Sequence, residues 1–426
     1  MRVAHINVTA TLSTGRIAVD ISRVLEERGH KALVAFGRGT APAQVPYLRV
    51  GSAPEMALHL AWARLTDRSG FAGRTATRAM VKKLDRYRPD IVHLHNLHGY
   101  YLHLPTLFQW LAKTGVPVVW TLHDCWAFTG HCAYYTMANG DASRREGHTH
   151  RQRTTRGCDR YKKGCGHCPL RRAYPASLLV DQSARNWREK KALVHGLRSL
   201  WLVTPSRWLA GEVKQSFLSY YPVRVIPNGV DLTAFRPCED AEYLSDVWHK
   251  YHLDELENRK ILLGVASVWE ERKGLADFFE LASLLGDEYR IVLVGLSPLQ
   301  REMLPMNVIG LSRTENLREL CALYTAADLY LSLSHEETMG MTLIEAMACG
   351  TQVLCYDATA MPESVTPAVG AVVPLGNLQA VAAQVNVLCQ APKDPKACRK
   401  HARLYDKALR FGEYVDLYEE IEALMI

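Results

Sequence analysis

Between Asp328 and Tyr356 the chain reads as a single structural unit that few folds can accommodate. Asp328-Leu329-Tyr330-Leu331-Ser332-Leu333-Ser334 is an apolar run of strand length, which reads as a buried strand. A short acidic loop follows, then a helix from about Met341 to Cys349 that Gly350 is placed to end. Gln352-Val353-Leu354-Cys355-Tyr356 is the next strand. Strand, loop, helix and strand in this order are a unit of a parallel α/β sheet. Gly340 lets backbone approach a ligand, and the free N–H groups of a helix start suit an anion. Glu337 and Glu345 stand on either side of that helix start, and two acids around an anion site need a reason. A sugar diphosphate supplies one: amides hold the phosphates while carboxylates accept hydrogen bonds from hydroxyls.

The rest of the chain repeats the alternation. Strands are expected at Val3–Val8, Ala32–Phe36, Ile91–His95, Val118–Leu122, Trp201–Ser206 and Val223–Ile226, with helices near 14–29, 104–114 and 181–195, a mixed helical region at 54–86 and a loop at 37–50. A second series begins at Lys260, with strands at Ile261–Ala266, Arg290–Val294, Val308–Ile309, Leu329–Leu333, Val353–Tyr356 and Ala371–Val373. Such alternation implies doubly wound parallel sheets. At 426 residues two domains are expected, since single cores stop growing at about 250–300 residues. No internal repeat is visible.

Residues 125–180 interrupt the pattern. They are rich in Cys, Arg, Gly and His, carry little apolar periodicity, and read as an insert with too little apolar surface to order itself. Cys165-x2-Cys168 has metal-ligand spacing, and Cys132 and Cys158 complete a candidate four-thiolate zinc site of structural type. Free thiols and a disulfide are the alternatives. Between Arg144 and Lys191 there are 14 Lys and Arg against 4 Asp and Glu, a local +10 in a chain of net +7. That patch suits an anionic partner such as lipid headgroups or a diphosphate-linked acceptor, or it is a solvated loop. No nucleic-acid module accompanies it. No run of about 18 apolar residues spans a bilayer, the start lacks the features of a signal peptide, and eleven cysteines without one indicate a reducing compartment. A cytoplasmic protein is expected, peripheral to the inner face of the membrane if the basic patch meets lipid.

The Glu-x7-Glu spacing of Glu337 and Glu345, running into Glu345-Ala346-Met347-Ala348-Cys349-Gly350, resembles the donor-site signature of the family 4 retaining glycosyltransferases. Met339 stands where that family usually has Phe. The resemblance implies a GT-B fold: two Rossmann-like domains facing a cleft, here residues 1–236 with the insert 125–180, and 237–404, with a last helix at 405–426 crossing back to the first domain. Pro227-Asn228-Gly229-Val230-Asp231 resembles the interdomain linker. By the same resemblance Lys273 clamps the donor diphosphate. The family's Arg about five residues earlier is Val268 here, so Arg272 is a candidate replacement or else a surface charge. Amides at Gly340, Met341 and Thr342 would hold phosphate, Glu345 the ribose and Glu337 the sugar. Gly15, in Ser13-Thr14-Gly15-Arg16, is the N-terminal counterpart, with Arg16 a phosphate or acceptor contact, and His123 is placed to meet the donor sugar. His93, His95, His98 and His103 are spread over a strand and its loop, a spacing that favours structural roles over metal binding.

The activity implied is transfer, with retention, of a sugar from a nucleoside-diphosphate sugar to a saccharide acceptor. The Trp120-to-Cys132 stretch and the Cys-rich insert resemble enzymes of exopolysaccharide, colanic-acid and O-antigen assembly, which implies a lipid-linked sugar as acceptor. No metal is expected in the chemistry. A nucleotide-sugar epimerase or phosphorylase on the same architecture, or a non-catalytic sugar-nucleotide binding protein, would share the phosphate clamp.

Overall fold

The computed structural model describes residues 1–11, 14–137, 157–253 and 259–425. The chain divides into two compact units. One comprises Met1–Asp141, Thr155–Asn228 and Ala408–Ile426; the other runs through Gly229–Lys407. The contacts divide the chain at Asn228 and Lys407, beside the domain bounds of 236 and 404 expected from the sequence.

The first unit holds a seven-stranded sheet: β1 (Arg2–Thr9), β2 (Lys31–Arg38), β3 (Tyr47–Arg49), β4 (Ile91–Leu94), β5 (Val118–Thr121), β6 (Leu200–Thr204) and β7 (Val223–Val225). Its order is β3-β2-β1-β4-β5-β6-β7, and every pairing is parallel. Buried parallel strands are mostly apolar, which is why Val3–Val8 and Val118–Leu122 stand out in the sequence even though they carry His5, Asn7 and Thr121. The three-residue β3 lies inside the segment expected to be loop. It is short, and the Gly- and Pro-rich surroundings hide it. The 54–86 region resolves into helices Ala53–Thr66 and Arg74–Tyr87. One face of the sheet packs on the helix Lys407–Ala423, whose Phe411, Tyr414, Val415, Tyr418 and Ile421 meet Val3, Ile21, Ile91, Val119 and Ile226.

The segment 125–180 differs from its expected character. Its described part has one 3-10 turn, Arg160–Lys162, yet it is not poor in buried side chains. Cys125, Trp126, Phe128, Cys132, Tyr135 and Tyr161 all enter the core of the first unit. Polar contacts to distant residues complete its anchoring. Tyr135 and Tyr161 donate to Glu212, Lys190 donates to the Trp126 carbonyl, and His131 pairs with Asp67.

The second unit holds six parallel strands: β8 (Lys260–Val265), β9 (Tyr289–Val294), β10 (Val308–Leu311), β11 (Leu329–Ser332), β12 (Val353–Asp357) and β13 (Gly370–Pro374). Their order is β10-β9-β8-β11-β12-β13, the 3-2-1-4-5-6 arrangement of a Rossmann sheet. In such a sheet the crevice lies where the order reverses, here at the carboxyl ends of β8 and β11, and ligands bind there.

Candidate functional site

The two loops that leave this switch point carry the acidic and basic residues singled out in the sequence. After β8 the chain makes a 3-10 turn, Glu271–Lys273, and enters the helix Leu275–Ala282 through Gly274. Gly274 has φ +74, and a Cβ there would stand 2.0 Å from the Leu333 carbonyl oxygen. Only glycine allows the two loops to approach this closely. The approach is sealed by the His335 N–H donating to the Arg272 carbonyl at 2.7 Å.

Side chains then meet across the loops. Lys273 Nζ is paired with Glu337 Oε1. Arg272 Nη1 donates to the Glu336 carbonyl at 3.1 Å and lies 3.8 Å from the same Glu337 oxygen. Arg272 is also held by Glu270 at 2.9 Å, so it belongs to this cluster rather than to the open surface, while Val268 is exposed. Burial opposes ionisation of Glu337, but Lys273 and Arg272 outweigh it and hold its carboxyl below the usual carboxylate range. Glu337 N–H donates to Thr359 Oγ1 at 2.9 Å, and that hydroxyl donates back to the Glu337 carbonyl at 2.7 Å.

Gly340, at φ +80, turns the loop into the helix Met341–Ala348, and among the described residues no side chain caps that helix start. Its first-turn amides and the positive end of its dipole therefore face the same switch point as Lys273. Met341 and Thr342 are half-buried, as is Glu345 one turn further on. Glu345 Oε2 accepts from Tyr324 Oη at 3.2 Å. Met339 is buried in the core of the second unit. Lys273, Arg272 and Glu337 thus cluster at one crevice with the start of the helix Met341–Ala348, an arrangement whose chemistry suits an anionic ligand.

Residues 14–234 match the family described as Glycosyltransferase Family 4, and residues 251–405 match Glycosyl transferases group 1. The chain is a family 4 glycosyltransferase. It is 24% identical over 295 residues to a putative colanic acid biosynthesis glycosyl transferase, WcaC, of Escherichia coli, covering 65% of this chain and 62% of the relative. A processive diacylglycerol alpha-glucosyltransferase of Acholeplasma laidlawii is 28% identical over 172 residues, covering 38% of this chain and 50% of that protein. An N,N'-diacetylbacillosaminyl-diphospho-undecaprenol alpha-1,3-N-acetylgalactosaminyltransferase of Campylobacter jejuni is 23% identical over 203 residues, 45% of this chain and 53% of that one. The glycosyltransferase thus spans roughly half to three-fifths of the length of these curated relatives. Its relatives work in polysaccharide and glycolipid synthesis. Among solved structures, sucrose-phosphate synthase from Thermosynechococcus elongatus superposes with TM-score 0.68 at 15% identity over all of both chains. Anabaena HepE, solved with UDP and glucose, gives TM-score 0.64 at 15% identity, covering 99% of this chain and 100% of that one. These likenesses establish the GT-B type of fold.

The remaining candidates of the glycosyltransferase lie in the first unit. Gly15 opens the helix Thr14–Glu27, and a Cβ on it would meet the Thr9 carbonyl oxygen at 2.5 Å; Arg16 is exposed. Ser13 lies outside the described residues. Asn7, unnoticed in the sequence, ties this switch point together. Its amide donates to the Thr9 carbonyl at 2.9 Å and its Oδ1 accepts from Asn96 N–H at 3.1 Å. His123 is buried against His95, Nε2 to Nδ1 at 3.1 Å, and burial lowers its pKa to about 4. His98 pairs with Asp124 at 2.7 Å, and His103 caps the helix Leu104–Thr114.

The four cysteines are neighbours. Cys132 donates its thiol to Cys168, and that hydrogen bond draws Cys168 down to about 7. Cys165 Sγ accepts from Gly130 N–H at 3.1 Å. Four thiolates on one tetrahedral zinc would stand about 3.8 Å apart. Among the described residues the group of three or more ligand atoms lying within 4.8 Å of one another is His5, His93 and His95; the thiols do not draw together that closely.

Two supports of the site were not legible in the sequence. Asp277, on the helix after Gly274, accepts from Tyr356 Oη at 3.1 Å and pairs with His335 at 2.7 Å, holding the acidic loop from below. Tyr324 orients Glu345. Both are ordinary residues in ordinary helices, and only the sheet order shows what they face.

Proposed function

We propose that this glycosyltransferase moves a hexosyl group, with retention, from a nucleoside-diphosphate sugar to a hydroxyl of a lipid-linked saccharide during bacterial surface polysaccharide assembly. The observation that carries the proposal is the Lys273–Glu337 pair beside the uncapped start of the helix Met341–Ala348. Lys273, Arg272 and the amides at Gly340, Met341 and Thr342 take the diphosphate, Glu345 the ribose, and Glu337 the sugar. His123 contacts the sugar, and Gly15 and Arg16 serve phosphate or acceptor.

As the bond from the anomeric carbon to the leaving phosphate oxygen breaks, negative charge grows on the diphosphate, and two preorganised cations favour that state over the intact donor. The acceptor oxygen bonds to the same face of the anomeric carbon, and its proton passes to the leaving phosphate oxygen. No protein nucleophile or metal is needed in this scheme. A lipid-linked acceptor is supported by the activities of the undecaprenol- and diacylglycerol-dependent relatives. It also agrees with exposed Arg160, Lys162, Lys163, Arg172 and Arg188, which suit an anionic membrane face. Among the described residues no helix is long and apolar enough to cross a membrane.

The test is a thermal-shift screen of nucleoside diphosphates followed by calorimetry on two variants. A ligand of the folded state raises the melting temperature by mass action. Glu345→Ala is expected to weaken nucleotide binding, and Glu337→Ala to lower turnover more than affinity. Wild-type behaviour in both would remove the donor site from this crevice, and conversion of donor without acceptor would indicate an epimerase.

A further inference from the structure

Three strands of the first sheet place four histidines in one buried row. His5 on β1 is paired in register with His93 on β4, His95 lies two residues on and so on the same face, and His123 follows β5. His5, His93 and His95 are essentially inaccessible, and His123 nearly so. Two contacts link three of them: His5 Nδ1 to His95 Nε2 at 3.2 Å and His95 Nδ1 to His123 Nε2 at 3.1 Å. Burial lowers the pKa of every member, to about 3 at His5 and about 4 at His123, so all are neutral at physiological pH.

A neutral imidazole has one N–H and one bare nitrogen. Two successive contacts through His95 must therefore run in the same direction. If His123 Nε2 donated to His95, His95 Nε2 would donate to His5 Nδ1, and the His5 proton would sit on Nε2. That atom is buried and has no hydrogen-bond partner among the described residues. Orphaned buried N–H groups are the rarer kind of unsatisfied group. The opposite direction leaves only a bare nitrogen at His5 Nε2, and it places the proton on Nδ1 in all three rings.

We propose that His5 and His95 are positioning residues which, through this imidazole ladder, hold His123 as an Nδ1–H donor. The ladder rests on the ring contacts and on the burial that keeps the rings neutral; that the donor serves the sugar rests on the function proposed above. His93 supplies an internal contrast. Thr121 Oγ1 donates to Tyr414 Oη at 3.3 Å, so it accepts from His93 Nε2–H at 2.7 Å. Tyr418 Oη donates to His93 Nδ1 at 2.6 Å. His93 is thus the opposite tautomer. These bonds also count against a metal ion on His5, His93 and His95, since both nitrogens of His93 and of His95 are already engaged.

Proton-detected nitrogen correlation spectra of full-length protein with labelled histidine read the tautomers directly. The expected result is Nδ1–H at His5, His95 and His123 and Nε2–H at His93. His5→Leu removes the donor to His95, and His123 is expected to shift toward a tautomer mixture while His93 stays unchanged. With it, kcat falls about 10-fold or more at unchanged donor affinity, as expected when a reacting-site imidazole takes the wrong tautomer. His5→Asn places an amide N–H near the former Nδ1 and is expected to restore both. An Nε2–H tautomer at wild-type His123, an unaltered His123 in His5→Leu, or Co(II) bound by wild type and lost in His5→Asn would overturn the proposal. Tautomers as stated, together with full transfer activity in His123→Ala, would uphold the ladder and reject the sugar contact.

Discussion

At Lys273 a single ammonium faces both a carboxylate of its own chain and the place where a diphosphate is proposed to lie. Arg272 reaches the same oxygen of Glu337 from the neighbouring position. The sequence offered Arg272 as either a substitute for the guanidinium missing at Val268 or a surface charge, and its contacts with Glu336 and Glu337 favour the first. One preorganised charge contact on a developing anion is worth about 2.7–4 kcal/mol. Lys273→Ala is therefore expected to lower kcat by at least about 100-fold, and Arg272→Ala to fall in the same range. Steady-state kinetics at saturating donor checks both. A Lys273→Ala enzyme with wild-type rate would place the phosphate clamp elsewhere, and an Arg272→Ala enzyme that loses less than about threefold would return that residue to a surface role. Glu337, Glu345 and Lys273 were legible because motif and spacing announce them. Asp277, Tyr356 and Thr359, which hold the loop, were not, because their partners lie 22 to 79 residues away in the chain.

At the scale of elements, strands and helices were legible wherever burial imposes a period. The insert was not. Trp126, Phe128, Tyr135 and Tyr161 are core residues without periodicity, and they are ordered by Glu212, Asp67 and Lys190 from distant parts of the chain. This changes what a metal there would do. Zinc was expected to supply the order of an apolar-poor loop, but the described part of the loop already has anchors. The thiol pair Cys132–Cys168, with Cys165 and Cys158 nearby, remains a proposed zinc site. About one zinc per chain is expected by elemental analysis of protein prepared in metal-free buffer. Because metal binding energy becomes local folding energy, a chelator should raise protease sensitivity near residues 157–168 while leaving nucleotide binding intact. A zinc content near zero in reduced, active protein would leave Cys132 and Cys168 as a thiol pair.

Across the whole molecule the repeated strand-helix alternation made two parallel sheets legible, but not their strand order, because pairing such as β1 with β4 joins residues nearly ninety positions apart. That pairing also creates the buried histidine row, and it has a consequence for stability. His5 and His123 have folded pKa values of about 3 and about 4, whereas an unfolded histidine titrates near about 6.5. Between these values the unfolded chain binds more protons than the folded one, so stability rises with pH through this window and is lost as pH falls below about 6.5. Each histidine kept neutral contributes a slope of about 1.4 kcal/mol per pH unit. His93 and His95, also lowered by burial, act in the same direction. Carboxylates begin to matter only below about pH 5, so the window from about 6.5 to about 5 isolates the histidines. Seven of the nine tryptophans lie in the first unit, and their fluorescence reports its unfolding. Urea midpoints followed this way are expected to fall steeply from pH 7 to pH 5. In His5→Asn, which keeps a hydrogen-bond donor but does not titrate, the slope should be shallower by about 1.4 kcal/mol per pH unit. Midpoints that do not change over this range would mean that the row accepts protons in the folded state, and the four imidazoles would then not be held neutral by burial.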